Sequence, residues 1–340
     1  MISSLKFILS TQLKRSGINK TNSGFTLIEL LVAMVMAFLI ITPLMTFMIS
    51  ILDSDRKEQA KATSEQEIQA ALDYIARDLQ QAVYIYDADG VTRVTNTTTI
   101  TSSGIKDQIP PLKSAPNCNP TTGSSPSVCT PILVFWKREL KANSVGINPT
   151  SNATDAQNDD GFAYSLVAYY LITNPNQTTN STWSKEARIG RFQLQGPVNA
   201  TNVNATGSIS DSGFNTLPLN KTGASLKEKM NQWQTASGAY AQRVETLIDY
   251  VSTTAPGFTI NTGATSTPCP GENPGSKLVG SQTSGFFACV DATEVLAQVY
   301  IRGNALARLQ NNNLAYTENS KSYFPSSSIR VQGRGFLFTK

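Results

Sequence analysis

Residues 25–52 read FTLIELLVAMVMAFLIITPLMTFMISIL, and Glu29 is the only charged residue among them. A helix needs about 20 apolar residues to cross the hydrocarbon core of a bilayer, so this run is long enough to span one. Charged residues end the run abruptly from Asp53 onward. The stretch therefore predicts a single membrane-spanning helix near the N-terminus.

The basic residues in front of the apolar run predict its orientation. Residues 1–24 contain four Lys or Arg and no acid, which accounts for the whole formal charge of +4. Because positive flanks stay in the cytoplasm, we expect residues 1–24 inside the cell and the part after the helix outside the inner membrane. Residues 25–340 are neutral overall and show no basic stripe, so their charge gives no indication of nucleic-acid binding.

A cleaved secretory signal peptide is the alternative interpretation of this segment. Its apolar region would be about 7–15 residues long, with a small-x-small cleavage site directly after it. The nearest such triplet, Ala60-Lys61-Ala62, lies in a charged stretch well beyond Leu52. We therefore reject ordinary signal cleavage.

Glu29 needs an explanation, because a carboxylate in a spanning segment costs roughly 2.5–3.5 kcal/mol on insertion scales. If the chain were cut between Gly24 and Phe25, a new α-amino cation would appear one helical turn before Glu29. The carboxylate could then neutralise the amine of a neighbouring chain while lying near the positive end of its own helix. The simpler alternative is that Glu29 extends to the membrane interface.

Residues 23–33, SGFTLIELLVA, resemble the prepilin peptidase site of type IV pilins and type II secretion pseudopilins. The resemblance covers about residues 16–55. It implies that Gly24 ends the leader, that Phe25 is the N-methylated first residue of the mature chain, and that Glu29 is the assembly carboxylate. The 24-residue leader is longer than that of major pilins, which favours a minor pilin or pseudopilin.

Within that family the chain is most similar to the J-type or PilW-like minor pseudopilins, including those of cyanobacterial hormogonium polysaccharide secretion. The resemblance implies a structural subunit of a filament that acts in secretion or surface motility. A tip adhesin or ligand-binding minor pilin is the alternative function.

The resemblance also implies a location and a set of partners. The subunit would cross the inner membrane once, with its head in the periplasm or outside the cell, before assembly into a periplasmic or cell-surface filament. The partners would be prepilin peptidase, other pilins or pseudopilins, the inner-membrane assembly platform with its ATPase, and membrane lipid.

Beyond Leu52 the pattern remains helical but becomes one-sided. The apolar residues Ile68, Leu72, Ile75, Leu79 and Val83 recur every three or four positions, which predicts one buried stripe. Residues between them, Asp73 and Asp78 included, should form a solvated face. We therefore predict one nearly continuous helix over 25–83. Pro43 should either kink or locally loosen it, or be tolerated as prolines are in many transmembrane helices.

The remaining sequence predicts a β-rich head with long polar loops. Segments of strand length are 131–136, 164–173, 189–194, 286–290, 295–302 and 329–338, and residues 226–233 suggest a short helix. Residues 243–251 fit either a helix or a strand. A long helix followed by consecutive strands predicts an α+β fold with an antiparallel sheet. We divide the chain into a leader (1–24), a membrane or filament-core helix (25–52), its amphipathic continuation (53–84) and the head (85–340).

Four cysteines, Cys118, Cys129, Cys269 and Cys289, all fall in the predicted exported head. An even number in an oxidising compartment favours disulfides. Pairing of sequence neighbours would give Cys118–Cys129 and Cys269–Cys289, although four cysteines allow three pairings. A four-thiolate zinc site is the alternative, but the spacings contain no Cys-x-x-Cys-like pair.

The search for catalytic motifs gives little. The chain has no histidine, and it contains no Gly-rich phosphate loop, GxSxG elbow or CxxC motif. Asp155, Asp159 and Asp160 form an oxygen-rich segment that would be the candidate for calcium, but it lacks the glycine and distal Glu of an EF-hand, so a solvated turn is favoured. We expect no enzyme activity, no resident metal and no cofactor.

Overall fold

The computed structural model describes residues 24–118, 127–146, 158–174, 182–198, 210–253, 269, 275–309 and 315–335. The fold is α+β, as predicted, with a long N-terminal helix followed by antiparallel sheets. The chain divides after Asp55 into two compact units. Each unit is described by itself below.

The long helix, α1, runs from Leu27 to Gln80. Within the second unit it buries the predicted apolar stripe, since Ile68, Leu72, Ile75 and Leu79 are all at most 1% exposed. The predicted end of the helix at Val83 is wrong. Residues 82–86, AVYIY, are β-branched or aromatic in four of five positions, and all five are buried in a strand.

The first sheet has five antiparallel strands in chain order. They are β1 (Ala82–Tyr86), β2 (Val128–Gly146), β3 (Asn158–Thr173), β4 (Ala187–Val198) and β5 (Glu245–Val251). Strand β5 settles the open assignment of residues 243–251, since most of that segment pairs with β4. Strands that are neighbours in the sheet also follow each other in sequence, as in an antiparallel meander, but the connections from β1 to β2 and from β4 to β5 are long.

Both faces of the first sheet are covered. On the α1 side, Phe135 stacks on Tyr169, whose hydroxyl reaches the last turn of α1. On the other side, the Trp136 ring packs edge-on against Trp233 at 5.6 Å between centroids. The Trp136 indole N–H donates to the Tyr86 hydroxyl at 3.1 Å, so the polar atoms of this aromatic cluster are paired.

The second sheet has four antiparallel strands, also in chain order. They are β6 (Lys277–Val279), β7 (Phe286–Asp291), β8 (Leu296–Arg302) and β9 (Ser326–Gln332). An isolated bridge between Val251 and Gly303 joins it to the end of β5. The described residues also form two short α-helices, α2 (Ala88–Thr92) and α3 (Leu226–Met230), and four 3-10 helices.

Several predicted strand boundaries in this sheet differ from the observed ones, including the start of β8 and both ends of β9. Val295 does not begin β8, because it lies in the left-handed region with φ of 51° in the turn that follows β7. Strand β9 ends at Gln332 instead of continuing, because the N–H groups of Arg334 and Gly335 beyond it donate to the Gln80 and Ala82 carbonyls, both at 3.0 Å. Residues 336–338 of the predicted strand lie outside the described residues.

The segment after α2, predicted as a long polar loop, is packed where the structure describes it. Ile105 and Ile109 are fully buried in the main core. A disulfide between Cys118 and Cys129 ties the described end of this segment to β2, and a second disulfide joins Cys269 to Cys289 of β7. The prediction of disulfides is confirmed, and of the three possible pairings the structure has the one between sequence neighbours.

Candidate functional site

The start of α1 is capped by a threonine. Helix α1 begins at Leu27, and the Thr26 side-chain oxygen accepts a hydrogen bond from the Glu29 backbone N–H at 3.3 Å. The Thr26 carbonyl accepts from the N–H groups of Glu29 and Leu30, both at 3.1 Å. Thr at the N-cap with Glu three residues later is the sequence of a capping box. The motif thus fixes where the helix begins, two residues after Phe25.

Glu29 lies in the first turn of this helix, where the backbone dipole favours a negative charge. Its side chain and that of Phe25 are both exposed. Phe25, at 82% exposed, and Gly24 lie just outside the helix, so the Gly24–Phe25 peptide bond is not held in regular structure. An amine at Phe25 and the carboxylate of Glu29 would therefore lie near the same end of α1.

The surface of α1 up to Leu52 is apolar on every side. Its large hydrophobic side chains, from Phe25 to Leu52, are all between 47% and 84% exposed. An 18-residue window of the helix reaches a mean hydropathy of 2.5 with none of it buried. A helix that is hydrophobic all round requires an apolar environment such as a membrane or neighbouring helices. The length and composition fit anchoring by a single membrane span.

Pro43 lies inside α1, and the helix continues through it. Two threonines beside it donate side-chain hydrogen bonds to backbone carbonyls one turn back, Thr42 to Phe38 at 2.8 Å and Thr46 to Thr42 at 3.0 Å. Hydroxyls bonded in this way need no water, which suits an apolar environment. The kink expected at Pro43 stays a prediction.

Residues 19–45 match the family model of the prokaryotic N-terminal methylation motif. The chain carries this motif. It is the signal of type IV pilins and pseudopilins, and it supports a pilin- or pseudopilin-type subunit that is processed by prepilin peptidase and assembles with other pilins. Searches of curated proteins and of solved structures found no match.

A second polar site, which the sequence did not predict, lies between the last turn of α1 and the first sheet. Asp78 was expected on the solvated face, and that expectation is wrong because Asp78 is only 8% exposed. Its carboxylate accepts from Lys137 Nζ at 3.1 Å, the Tyr169 hydroxyl at 2.7 Å and Arg191 Nε at 2.8 Å. Three strands of the first sheet, β2, β3 and β4, are thereby tied to one carboxylate of α1.

The network continues along the sheet through Glu139. Lys137 Nζ lies 3.0 Å from Glu139, and the Gln193 amide donates to the same carboxylate at 3.0 Å. Burial raises the pKa of Asp78, but the hydrogen bond and charge of Arg191, aided by Lys137, outweigh this and leave the pKa below its ordinary value. The groups are mutually compensated, so the arrangement acts as an anchor and shows no activated acid or base.

The sequence pattern that could have predicted this network lies in strands β2 and β4 and not in α1. Lys137 follows the buried pair Phe135-Trp136, and Arg191 precedes buried Phe192. Neighbouring residues of a strand face opposite sides of the sheet, so two consecutive buried residues show that both faces are covered, and a charge that follows them needs a counter-charge. The helical pattern alone could not identify Asp78 as that counter-charge, because it lies beside the stripe.

A second ion cluster joins α2 to α3 and to β6. Lys227 lies 2.5 Å from Asp87 and 2.7 Å from Asp89, and Lys277 also pairs with Asp89. Burial raises the pKa of Asp89, but the hydrogen bonds from the two lysines lower it more, to about 2. The cluster is a structural clamp on the β1–α2 connection.

The calcium candidates are not brought together by the described structure. Asp155 lies outside the described residues, whereas Asp159 and Asp160 belong to the first residues of β3. Within the described part of the chain, no group of three or more His, Cys, Asp or Glu side chains could hold a metal ion.

Proposed function

We propose that this chain is a minor pilin or pseudopilin, a structural subunit of a type IV pilus-like or type II secretion-like filament. The observation that carries the proposal is the apolar surface on all sides of α1 up to Leu52, which begins at the methylation motif. No surface of this kind is stable in water. It needs lipid before assembly and neighbouring helices afterwards.

The first step of the proposed mechanism is processing. Prepilin peptidase would cut after Gly24 and methylate the amine of Phe25, which leaves residues 25–340 as the mature chain. The cut removes the basic leader and places a cation at the cytoplasmic end of the helix. The apolar helix would keep the subunit in the inner membrane until an ATP-driven platform extracts it.

The second step is assembly, in which Glu29 sets the register. The carboxylate would pair with the Phe25 amine of a neighbouring subunit. Desolvation makes an unpaired charge costly, so only the axial offset that brings the two charges together is favoured. Burial of apolar helices against each other replaces their contacts with lipid. The filament would then act in secretion, of polysaccharide in the narrowest form of the proposal, or in surface motility.

The test is the Glu29→Ala variant, with Glu58→Ala as its matched control. Both lose one exposed carboxylate of α1, but Glu58 lies beyond the apolar segment. Mass spectrometry of the mature N-terminus should show cleavage after Gly24 and methylated Phe25 in all three proteins. Sheared filament fractions should contain Glu58→Ala at the wild-type level and Glu29→Ala at a strongly reduced level.

Two results would overturn parts of this proposal. An intact Met1 in mature wild-type protein would remove the processing step and with it the class of subunit. Normal incorporation of Glu29→Ala, with processing intact, would remove the pairing role of Glu29 while leaving the anchor.

A further inference from the structure

The two sheets meet where β5 and β8 end. The Ser252 N–H donates to the Arg302 carbonyl at 2.9 Å. The Asn304 N–H donates to the Tyr250 carbonyl at 2.8 Å. Glu186, the residue directly before β4, reaches the same place and is only 1% exposed. These chain ends and the Glu186 side chain form the junction between the sheets.

The Glu186 carboxyl ties three strands together but is only partly satisfied. Its Oε2 atom accepts from the Thr253 N–H at 3.1 Å and from the Thr253 hydroxyl at 3.2 Å. The Asn304 side chain contributes a further hydrogen bond to the carboxyl. The Oε1 atom is buried and has no hydrogen-bond partner among the described residues. The side chain thus joins the start of β4 to the residues that follow β5 and β8.

The cations on the β4 side of the junction do not neutralise Glu186. Arg188 lies two residues further along the strand, and its guanidinium is 5.3 Å from the centroid of the Trp183 ring. The Arg188 Nη1 atom is buried and has no hydrogen-bond partner among the described residues. Lys185 is exposed. Neither cation forms an ion pair with Glu186 in the described structure.

The charged groups on β5 and β8 do not neutralise Glu186 either. Asp249 of β5 is a second carboxylate, and it accepts from the Ser184 N–H and hydroxyl at 2.9 and 2.7 Å. The Arg302 guanidinium at the end of β8 lies 6.0 Å from the centroid of the Tyr316 ring. Three neighbouring stretches of sequence outside the described residues contain no charged residue, namely 175–181, 254–268 and 310–314. Among the described residues, the junction therefore brings a second carboxylate near Glu186 and no ion-paired cation.

A carboxylate that is buried without a cation is costly, whereas the neutral acid is buried at a much lower cost. Burial raises the pKa of Glu186, the hydrogen bonds from Thr253 and Asn304 oppose this rise, and the charge of Asp249 adds to it. We propose that the junction is pH-sensitive: the neutral Glu186 carboxyl closes it, and loss of the proton loosens it. A carboxyl with a raised folded pKa contributes stability below its unfolded pKa and loses it as pH rises through the folded one. The junction lies within the unit after Asp55, so this proposal does not depend on filament assembly.

The experiment measures hydrogen–deuterium exchange of the processed full chain in detergent micelles at several pH values between about 4.5 and 7.5, a range that begins near the unfolded pKa of a glutamate. Exchange rates are corrected for the intrinsic effect of pH. Peptides that contain Ser252, Thr253 and Asn304 report on the junction, and peptides from the middle of β3 report on the core. Protection at the junction should fall by about threefold or more as pH rises, whereas protection of β3 should not fall.

Two junction variants and a control assign the effect to Glu186. Glu186→Gln keeps the shape of the side chain but cannot ionise, so protection at the junction should no longer depend on pH. Asp249→Asn removes the nearby charge that raises the pKa of Glu186, so the fall in protection should move to lower pH. Glu245→Gln removes an exposed carboxylate of β5 and should leave the wild-type profile unchanged. Tryptophan-monitored unfolding shows whether each variant is folded, and Asp249→Asn decides if Glu186→Gln is not.

The proposal is overturned if protection at the junction in wild type is constant or rises with pH. A rise is the result expected if Arg188 pairs with an ionised Glu186 in solution. It is also overturned if Glu186→Gln keeps the wild-type profile, if Asp249→Asn does not move it, or if β3 loses protection in parallel. A fall that is confined to the junction, absent in Glu186→Gln and kept in Glu245→Gln supports it.

Discussion

The two parts of α1 are both rich in apolar residues, but they bury them in different ways. From Leu27 to Leu52 the large hydrophobic side chains are all exposed, whereas from Ala60 to Leu79 one face is buried and the other carries polar groups. The sequence reflects this directly. The first part has a single charge in a continuous apolar run, and the second has apolar residues every three or four positions.

The difference shows that hydrophobic content alone does not say what a helix packs against. A one-sided stripe is satisfied by the chain's own sheets, so it stabilises the fold. The all-round apolar surface is not covered by any of the described residues and requires an apolar environment such as a membrane or neighbouring helices. Substitutions in the two parts should therefore affect different measurements, and the following experiments test this separation.

The largest loss of unfolding free energy is expected from Asp78→Ala in the second part of α1. The substitution leaves Lys137 and Arg191 without their shared carboxylate in a buried place, which typically costs about 3–5 kcal/mol. Urea unfolding of the full chain in detergent micelles measures this loss. All three tryptophans lie in the unit after Asp55, so their fluorescence reports on that unit alone.

Asp73→Ala is the control for Asp78→Ala, because Asp73 is exposed on the same helix one turn and a half earlier. Its effect should stay within about 0.5 kcal/mol. Equal effects of the two substitutions would show that the buried network contributes nothing beyond the helix itself.

Leu72→Ala should destabilise the same unit by about 2–5 kcal/mol, because it removes a side chain that is 1% exposed and leaves a cavity. Leu39→Ala, in the first part, removes the same atoms from a side chain that is 63% exposed. The tryptophan transition of Leu39→Ala should match that of wild type. A shift comparable to that of Leu72→Ala would contradict the separation of the two parts.

Ile40→Lys, in the first part of α1, should weaken membrane retention without lowering the stability of the unit after Asp55. A lysine near the centre of a spanning helix costs about 2.5–3.5 kcal/mol on insertion scales, so the carbonate-resistant membrane fraction should fall. Ile40→Leu keeps the apolar surface and should fractionate as wild type does. The urea transition of Ile40→Lys should be unchanged, and a lower transition would mean that Ile40 contributes to the fold after Asp55.

The sequence predicted the features that depend on residues close together in the chain, and it missed those that depend on residues far apart. The apolar run, the stripe from Ile68 to Leu79 and the disulfides depend on local composition and spacing, and these predictions were confirmed. The fold class followed from a long helix placed before consecutive strands. Glu29 and the cleavage site were recognised from a dense motif, and their roles remain proposals.

The errors lie where distant residues decide the local structure. Asp78 is buried because Lys137 and Arg191, far away in sequence, need its charge. Ala82 and Val83 leave the helical pattern because pairing with β2 outweighs it. Val295 has strand propensity, yet it takes a left-handed conformation in which its carbonyl accepts from the Gly333 N–H at 2.8 Å. None of these contacts can be inferred from a window of neighbouring residues.

The smallest expected effect is a dependence on pH that is confined to the unit after Asp55. The pKa of Asp89 is about 2 in the folded chain, against about 3.9 when unfolded, so the folded state binds fewer protons between these values. A carboxyl with a lowered folded pKa contributes stability above its unfolded pKa and loses it as pH falls through the folded one. Stability from this group should therefore be constant above about pH 5 and decline from there towards pH 2.

Lys277→Ala isolates this contribution, because it removes one of the two cations that lower the pKa of Asp89. The lysine is partly exposed, so screening limits the difference from wild type to about 1 kcal/mol or less. Urea unfolding at pH 6, 4 and 2.5 should show the full difference at pH 6 and a smaller one at pH 2.5, because Asp89 is only partly protonated in the folded chain at that pH. A difference as large at pH 2.5 as at pH 6 would mean that Lys277 stabilises through packing of its stem and not through its ion pairs. Membrane retention should not change with Lys277→Ala at any of these pH values, because its ion pairs lie outside the apolar part of α1.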